Sequence, residues 1–298
     1  MESLVDWAET LTGENWVARA GFTSRQGGFS RGPYAGLNLG FHVADDPHVV
    51  AANRRALAEE LGVEPVWMDQ VHGKHIGRAV EPGRTLAATD GAILSLADLG
   101  LAEGVHLRDK RKAAVGGAES FAPSFANPGG GDASCAHRVA ACVMVADCVP
   151  LLLLSRSSPV GAVVHVGRAG LLAGIATDAV SELSALTGVQ DLVAIIGPAI
   201  CGQCYEVPAQ MRDAAALQCP ECVAETRWGT PSIDIPAGLQ AQLARAGVCE
   251  IRHDRRCTFE TPSLFSHRRD GGVSGRFVGI VEVATRPGSF TNPGAAVA

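Results

Sequence analysis

Apolar positions along the chain gather into short unbroken runs rather than long amphipathic repeats. The runs at 143–146, 151–154, 160–164, 192–196 and 277–283 are apolar at nearly every position, which predicts strands covered on both faces. Between them lie helix patterns. Asp46 offers an N-cap, Pro47 fits the first helical position, residues 48–61 carry good helix formers, and Gly62 supplies a stop. Residues 177–186, 207–217 and 237–246 repeat that style, with Gly188 and Gly247 closing two of them. Interleaved strands and helices, with no internal repeat and no linker, predict an α+β fold: a single layered domain of mixed β-sheets and helices over residues 1–298. One stretch breaks the pattern. Residues 103–138 turn polar and glycine-rich without periodicity, and read as a flexible insertion.

Composition narrows the function classes. At 298 residues and 47% hydrophobic, the chain can bury a real core. Its 25 Lys+Arg against 31 Asp+Glu leave a net charge of -6, and aromatics make up 5%. Both features argue against a nucleic-acid partner, which needs a basic field and stacking surface. Acidic residues stand at Glu2 and Asp6 where an export signal needs a basic start, and the apolar stretch 139–154 is short and interrupted by Asp147 and Pro150. Neither export nor a membrane span is expected. Nine cysteines, an odd number spread over a long chain, suggest free or metal-bound thiols and a cytoplasmic protein.

Three short motifs can carry chemistry. In Gln70-Val71-His72-Gly73, an imidazole follows the apolar Val66-Trp67-Met68. In Ala146-Asp147-Cys148-Val149-Pro150, a thiol sits at a break between two apolar runs. In His165-Val166-Gly167-Arg168-Ala169-Gly170, a second imidazole follows the 160–164 run. One thiolate and two imidazoles suit zinc with a fourth position left for water or substrate. The same atoms also allow a cysteine nucleophile with a histidine base. A second metal pattern is Cys201-x-x-Cys204 with Cys219-x-x-Cys222. The helix pattern at 205–218 would hold those pairs about 20 Å apart at about 1.5 Å per residue, so these thiols read as incidental. Gly167-x-x-Gly170 matches neither the dinucleotide fingerprint nor the P-loop. Arg268-Arg269-Asp270-Gly271 is either a solvated turn or a charged clamp.

In their order, the motifs at 21–30, 32–40, 45–54, 70–73, 88–91, 146–150, 197–200, 205–207 and 266–271 resemble the laccase-domain family. Its members are called multicopper polyphenol oxidoreductases, purine nucleoside phosphorylases and peptidoglycan editing factors. The resemblance runs over roughly residues 17 to 284 apart from the insertion. It implies a layered fold similar to cysteine-hydrolase-like toxins, and a zinc ion on His72, Cys148 and His165, which would be the catalytic centre. It also implies purine nucleosides and phosphate as partners: phosphorolysis of adenosine, inosine, guanosine and methylthioadenosine, with adenosine deamination. Arg25, Asn38, Gln70 and Arg268 fall in family motifs expected to bind substrate. Where the family has His-Ala-Gly-Trp-Arg-Gly, this chain has His165-Val-Gly-Arg168-Ala-Gly170, which makes Arg168 the candidate substitute for the displaced arginine. Copper fits poorly, because none of the nine histidines forms a His-x-His pattern. The alternatives are an amidase that edits peptidoglycan precursors by muramyl-serine hydrolysis, and a non-catalytic member of the family.

Overall fold

The structure is a computed structural model that describes residues 3–99 and 137–286. The insertion predicted at 103–138 lies outside the described residues except for His137 and Arg138, and Arg138 already opens a strand.

Two sheets form the centre. The first is antiparallel in the order β1 (Val5–Thr12), β2 (Trp16–Thr23), β14 (Phe277–Thr285), β7 (Arg138–Val145). The second is mixed, in the order β13 (Glu250–His253), β10 (Leu192–Ile196), β8 (Val149–Ser155), β9 (Val160–Val166), β6 (Gly91–Ser95), β4 (Ile76–Arg78). Two short ladders complete the strands: β3 (Trp67–Met68) with β5 (Thr85–Leu86), and β11 (Val223–Glu225) with β12 (Pro231–Ile233).

The period of two along each strand explains why the runs are apolar throughout. On β8, Leu152 and Leu154 point between the two sheets, where they meet Val143 of β7 and Val281 of β14. Leu151 and Leu153 point the other way, onto α2 (Arg168–Ala173), α3 (Ile175–Thr187) and α5 (Ile235–Arg245), through Leu171, Ile175, Leu183 and Leu239. On β7, Val139, Ala141 and Val143 face the inner layer, while Ala140, Cys142 and Met144 face α1 (Pro47–Leu61) through Leu57 and Leu61. The result is helix, sheet, sheet and helix in four layers. Each fully buried leucine contributes about 1.5–3 kcal/mol of apolar transfer.

The α+β fold of mixed sheets and few helices is therefore the one expected. The predicted strands are all present, and β7 and β8 extend beyond the predicted runs. Three helices sit within two residues of expectation, and α4 (Ala209–Ala216) is shorter than the pattern at 207–217 because Pro208 occupies its N-cap. The start of α1 follows the sequence signal: Asp46 accepts from the His48 N–H at 2.8 Å, and Gly62 closes the helix at φ 67°. Among the described residues, no helix is long and apolar enough to cross a membrane.

Candidate metal centre and its cavity

The three motif residues meet at one end of the two sheets. His165 lies inside β9 rather than after it, opposite Pro150 in the ladder with β8. Cys148 occupies the turn between β7 and β8, directly after Asp147, whose backbone is left-handed at φ 94°. His72 sits on the loop after β3, also left-handed at φ 59°. Such angles cost non-glycine residues on the order of 1–3 kcal/mol and persist where surrounding bonds enforce them.

Two buried aspartates supply those bonds. Asp90, just before β6, accepts the backbone N–H groups of Val71 at 3.2 Å, His72 at 3.0 Å and Gly73 at 2.7 Å. Its Oδ1 also lies 2.8 Å from Nδ1 of His165. Burial pushes the Asp90 carboxyl up, but hydrogen bonds from His165 and Gly73 outweigh it and hold the group ionised, below the usual carboxylate range. His165 Nδ1 must then carry a proton, so Nε2 is the nitrogen that would face a metal once it gives up its own proton. Asp147 plays the matching part for Cys148. Its carboxylate accepts from Thr258 Oγ1 at 2.6 Å, Ser266 Oγ at 2.7 Å and the Arg268 N–H at 2.7 Å.

Between these anchors, the donor atoms of His72, Cys148 and His165 lie within 4.8 Å of one another. Cys148 Sγ is 4.0 Å from His72 Nε2, and the two imidazole rings meet edge to face at 4.7 Å. A Cβ at Gly167 would come within 3.2 Å of both Cys148 Sγ and the His72 ring, so glycine there gives the ligands room. Burial raises the Cys148 thiol, yet the two imidazoles outweigh it and bring it down to about 6. Burial lowers His165, but the Cys148 thiolate and Asp90 raise it to about 9. The metal-free pair is thus a thiolate beside an imidazolium. One soft thiolate and two imidazoles, one of them oriented by a carboxylate, fit a borderline divalent ion.

These candidate ligands line a cavity of about 620 Å³ together with Arg168, Arg268 and Arg276. Arg268 lies over the Tyr205 ring at 5.0 Å and donates to Glu206 O at 2.7 Å. Arg168, Gln70 and Arg268 all line the cavity. Gln70 spends its amide on the backbone of Met144: Nε2 donates to Met144 O at 2.9 Å, and Oε1 accepts from Met144 N at 2.8 Å. Arg25 and Asn38 are not brought to the lining. The Arg25 guanidinium lies over Phe265 at 4.8 Å and donates to Ala35 O. Asn38 is buried and acts one step back, its Oδ1 accepting from the Arg276 N–H at 2.9 Å.

Residues 19–284 match the family described as multi-copper polyphenol oxidoreductase laccase. The chain belongs to that family. A protein named purine nucleoside phosphorylase from Streptomyces coelicolor is 39% identical over 270 residues, covering 89% of this chain and 95% of that one. One of the same name from Mycobacterium tuberculosis is 37% identical over 264 residues, covering 87% and 89%. Among solved structures, a DUF152 protein from Neisseria meningitidis superposes with a TM-score of 0.72 at 26% identity, covering 94% of this chain and 98% of that one. YlmD from Geobacillus stearothermophilus gives 0.68 at 28% identity, covering 91% and 96%. The family match spans the second sheet, the first sheet apart from β1 and the start of β2, and all three candidate ligands.

Sequence reasoning gave no role to Asp90, Asp147 or Arg276. Asp90 and Asp147 lie inside motifs already singled out, so their signal was adjacency to a glycine and to a candidate ligand. Arg276 carries no local signal beyond a charge placed just before an apolar strand.

Proposed function

We propose that the cavity belongs to a purine nucleoside phosphorylase, working on adenosine, inosine, guanosine and methylthioadenosine, with zinc held by His72, Cys148 and His165. The observation that carries this reading is that the His–Cys–His cluster and three arginines line one space of about 620 Å³, a size suited to a nucleoside and an anion. Zinc held by these three residues would supply charge stabilisation and, for adenosine deamination, Lewis-acid activation of water. The chain's own groups do the rest. Arg168 and Arg268 hold phosphate on the side of the anomeric carbon, so that a phosphate oxygen forms the new C–O bond as the C–N bond to the base breaks. The proton that hydrogen phosphate carries ends on the departing base, and Tyr205, whose hydroxyl burial keeps protonated above the ordinary tyrosine range, lies at the lining to donate a hydrogen bond. The eight described cysteines are all free thiols, which supports a cytoplasmic setting.

Inosine turnover with and without phosphate tests the reading. Hypoxanthine and ribose 1-phosphate are expected, with Arg168→Ala raising the phosphate KM at least about tenfold and the inosine KM far less. Release of free ribose at the same rate without phosphate would overturn it. A second reading rests on the alignment of Asp90, His165 and the Cys148 thiolate, which is also that of a thiol amidase acting on muramyl-serine precursors. Chelation separates the two: a thiol amidase keeps its activity in metal-free protein, whereas the zinc enzyme loses it.

A further inference from the structure

A second group of soft donors lies outside the cavity. Cys201 and Cys204 follow β10, and Cys257 and Glu260 follow β13; the donor atoms of all four lie within 4.8 Å of one another. In the sequence, Cys201 and Cys204 form a metal-like pattern with Cys219 and Cys222 that reads as incidental. The structure instead places Cys219 and Cys222 in the helix-side core beneath α5, and Cys204 against Cys257.

The two contributing segments have the same construction. Cys201-Gly-Gln-Cys204 and Cys257-Thr-Phe-Glu260 each present donors three residues apart. Each is closed by the same turn, with Cys204 N donating to Cys201 O at 2.9 Å and Glu260 N donating to Cys257 O at 3.1 Å. The segments are joined by a parallel bridge between Ala199 and Cys257, and the Cys201 N–H points at Cys257 Sγ from 3.4 Å. Four donors about 2.3 Å from a tetrahedral ion would lie about 3.8 Å from one another, a contraction of the present spacing that a side-chain rotation can supply. Cys204 and Cys257 are buried, with Phe259 packed against them and Trp228 against Phe259. A disulfide would use two of these thiols and leave the third and the carboxylate without purpose.

We propose that Cys201, Cys204, Cys257 and Glu260 form a second, structural zinc site, closed by four protein ligands and distinct from the catalytic centre. Three thiolates and a carboxylate around a divalent ion leave net negative charge. Arg227 is placed to offset it, 2.6 Å from Glu260 Oε1 and 3.1 Å from Cys204 Sγ. The ion would clamp one wall of the cavity. Ile200 and Tyr205, which flank the first pair, line that cavity, and Thr258, inside the second pair, holds Asp147.

The test loads metal-free full-length protein with zinc, and separately with cobalt(II). Wild type should hold two equivalents, Cys148→Ala one and Cys257→Ser one. In the Cys148→Ala background the catalytic thiol is gone, so a sulfur-to-cobalt charge-transfer band there reports the second site alone, whatever the first site binds. That band should vanish on adding Cys257→Ser. Because a buried cysteine variant can misfold, Glu260→Gln provides a milder arm at an exposed position. It should keep the far-ultraviolet circular dichroism of wild type and weaken zinc at least about tenfold in chelator competition. No cobalt–thiolate band in Cys148→Ala, or a Cys201–Cys257 disulfide in protein purified under reductant, overturns the proposal. An unaltered zinc affinity in Glu260→Gln removes the carboxylate from the ligand set and overturns the four-ligand site.

Discussion

At the scale of single residues, the centre depends on a carboxylate that would touch no metal. Asp90 fixes the His72 loop through three backbone donors and fixes the His165 tautomer through a fourth contact. Asp90→Asn keeps the size but turns an amide N–H₂ toward groups that are themselves donors. Zinc affinity should fall about 10–100-fold, as it does when an outer partner of a ligand is removed, and competition against a chromophoric chelator measures it. Cys148 gives a pH signature. With its thiol held down at about 6, the thiolate is present above that pH and lost below it. Iodoacetamide should therefore modify Cys148 in metal-free protein at a rate that levels off by about pH 7, whereas an ordinary thiol, near 8.5, keeps gaining rate to higher pH. Bound zinc should abolish the reaction, and a Cys148 rate that still climbs from about pH 7 to 9 would show that the imidazoles do not stabilise the thiolate.

At the scale of elements, the loop between β3 and β4 is tethered by a side chain acting as a strand. Gln70 returns both a donor and an acceptor to Met144 on β7. Gln70→Leu leaves that N–H and C=O without partners, which should cost about 1–3 kcal/mol of stability. Urea unfolding reads that loss, and zinc affinity should fall with it as His72 gains freedom. Central strands were legible in the sequence because a layer lies on both sides of them, so β8, β9, β10 and β14 are largely apolar at both parities. The N-terminal hairpin of β1 and β2 was not, because β1 is exposed at every second position and reads as polar chain. His165 was expected past the end of its strand, but pairing with β8 carries β9 through Val166. The ligands themselves were visible as motifs. Their supports were not, because Asp90 and His165 are 75 positions apart, and Arg276 reaches Asn38 across 238. The regrouping of the cysteines was hidden for the same reason: Cys201 meets Cys257 across 56 positions, and no local pattern announces that.

At the scale of the whole molecule, β14 lies between β2 and β7 in the first sheet, and residues 258–268 hold Asp147 beside the thiol ligand. This connectivity sets an order of events during synthesis. The β1–β2 hairpin emerges first, yet its central neighbour starts at Phe277, a delay of roughly 13–50 s at about 5–20 residues per second. Ribosome-arrested chains ending before Phe277 should leave the hairpin open to protease, while chains with Thr285 clear of the exit tunnel should resist it. A metal held by His72, Cys148 and His165 would thus load last. Until the last strand is delivered, Cys148 waits as an unclaimed nucleophile in a nascent chain, exposed to whatever oxidant or stray copper the ribosome's surroundings contain.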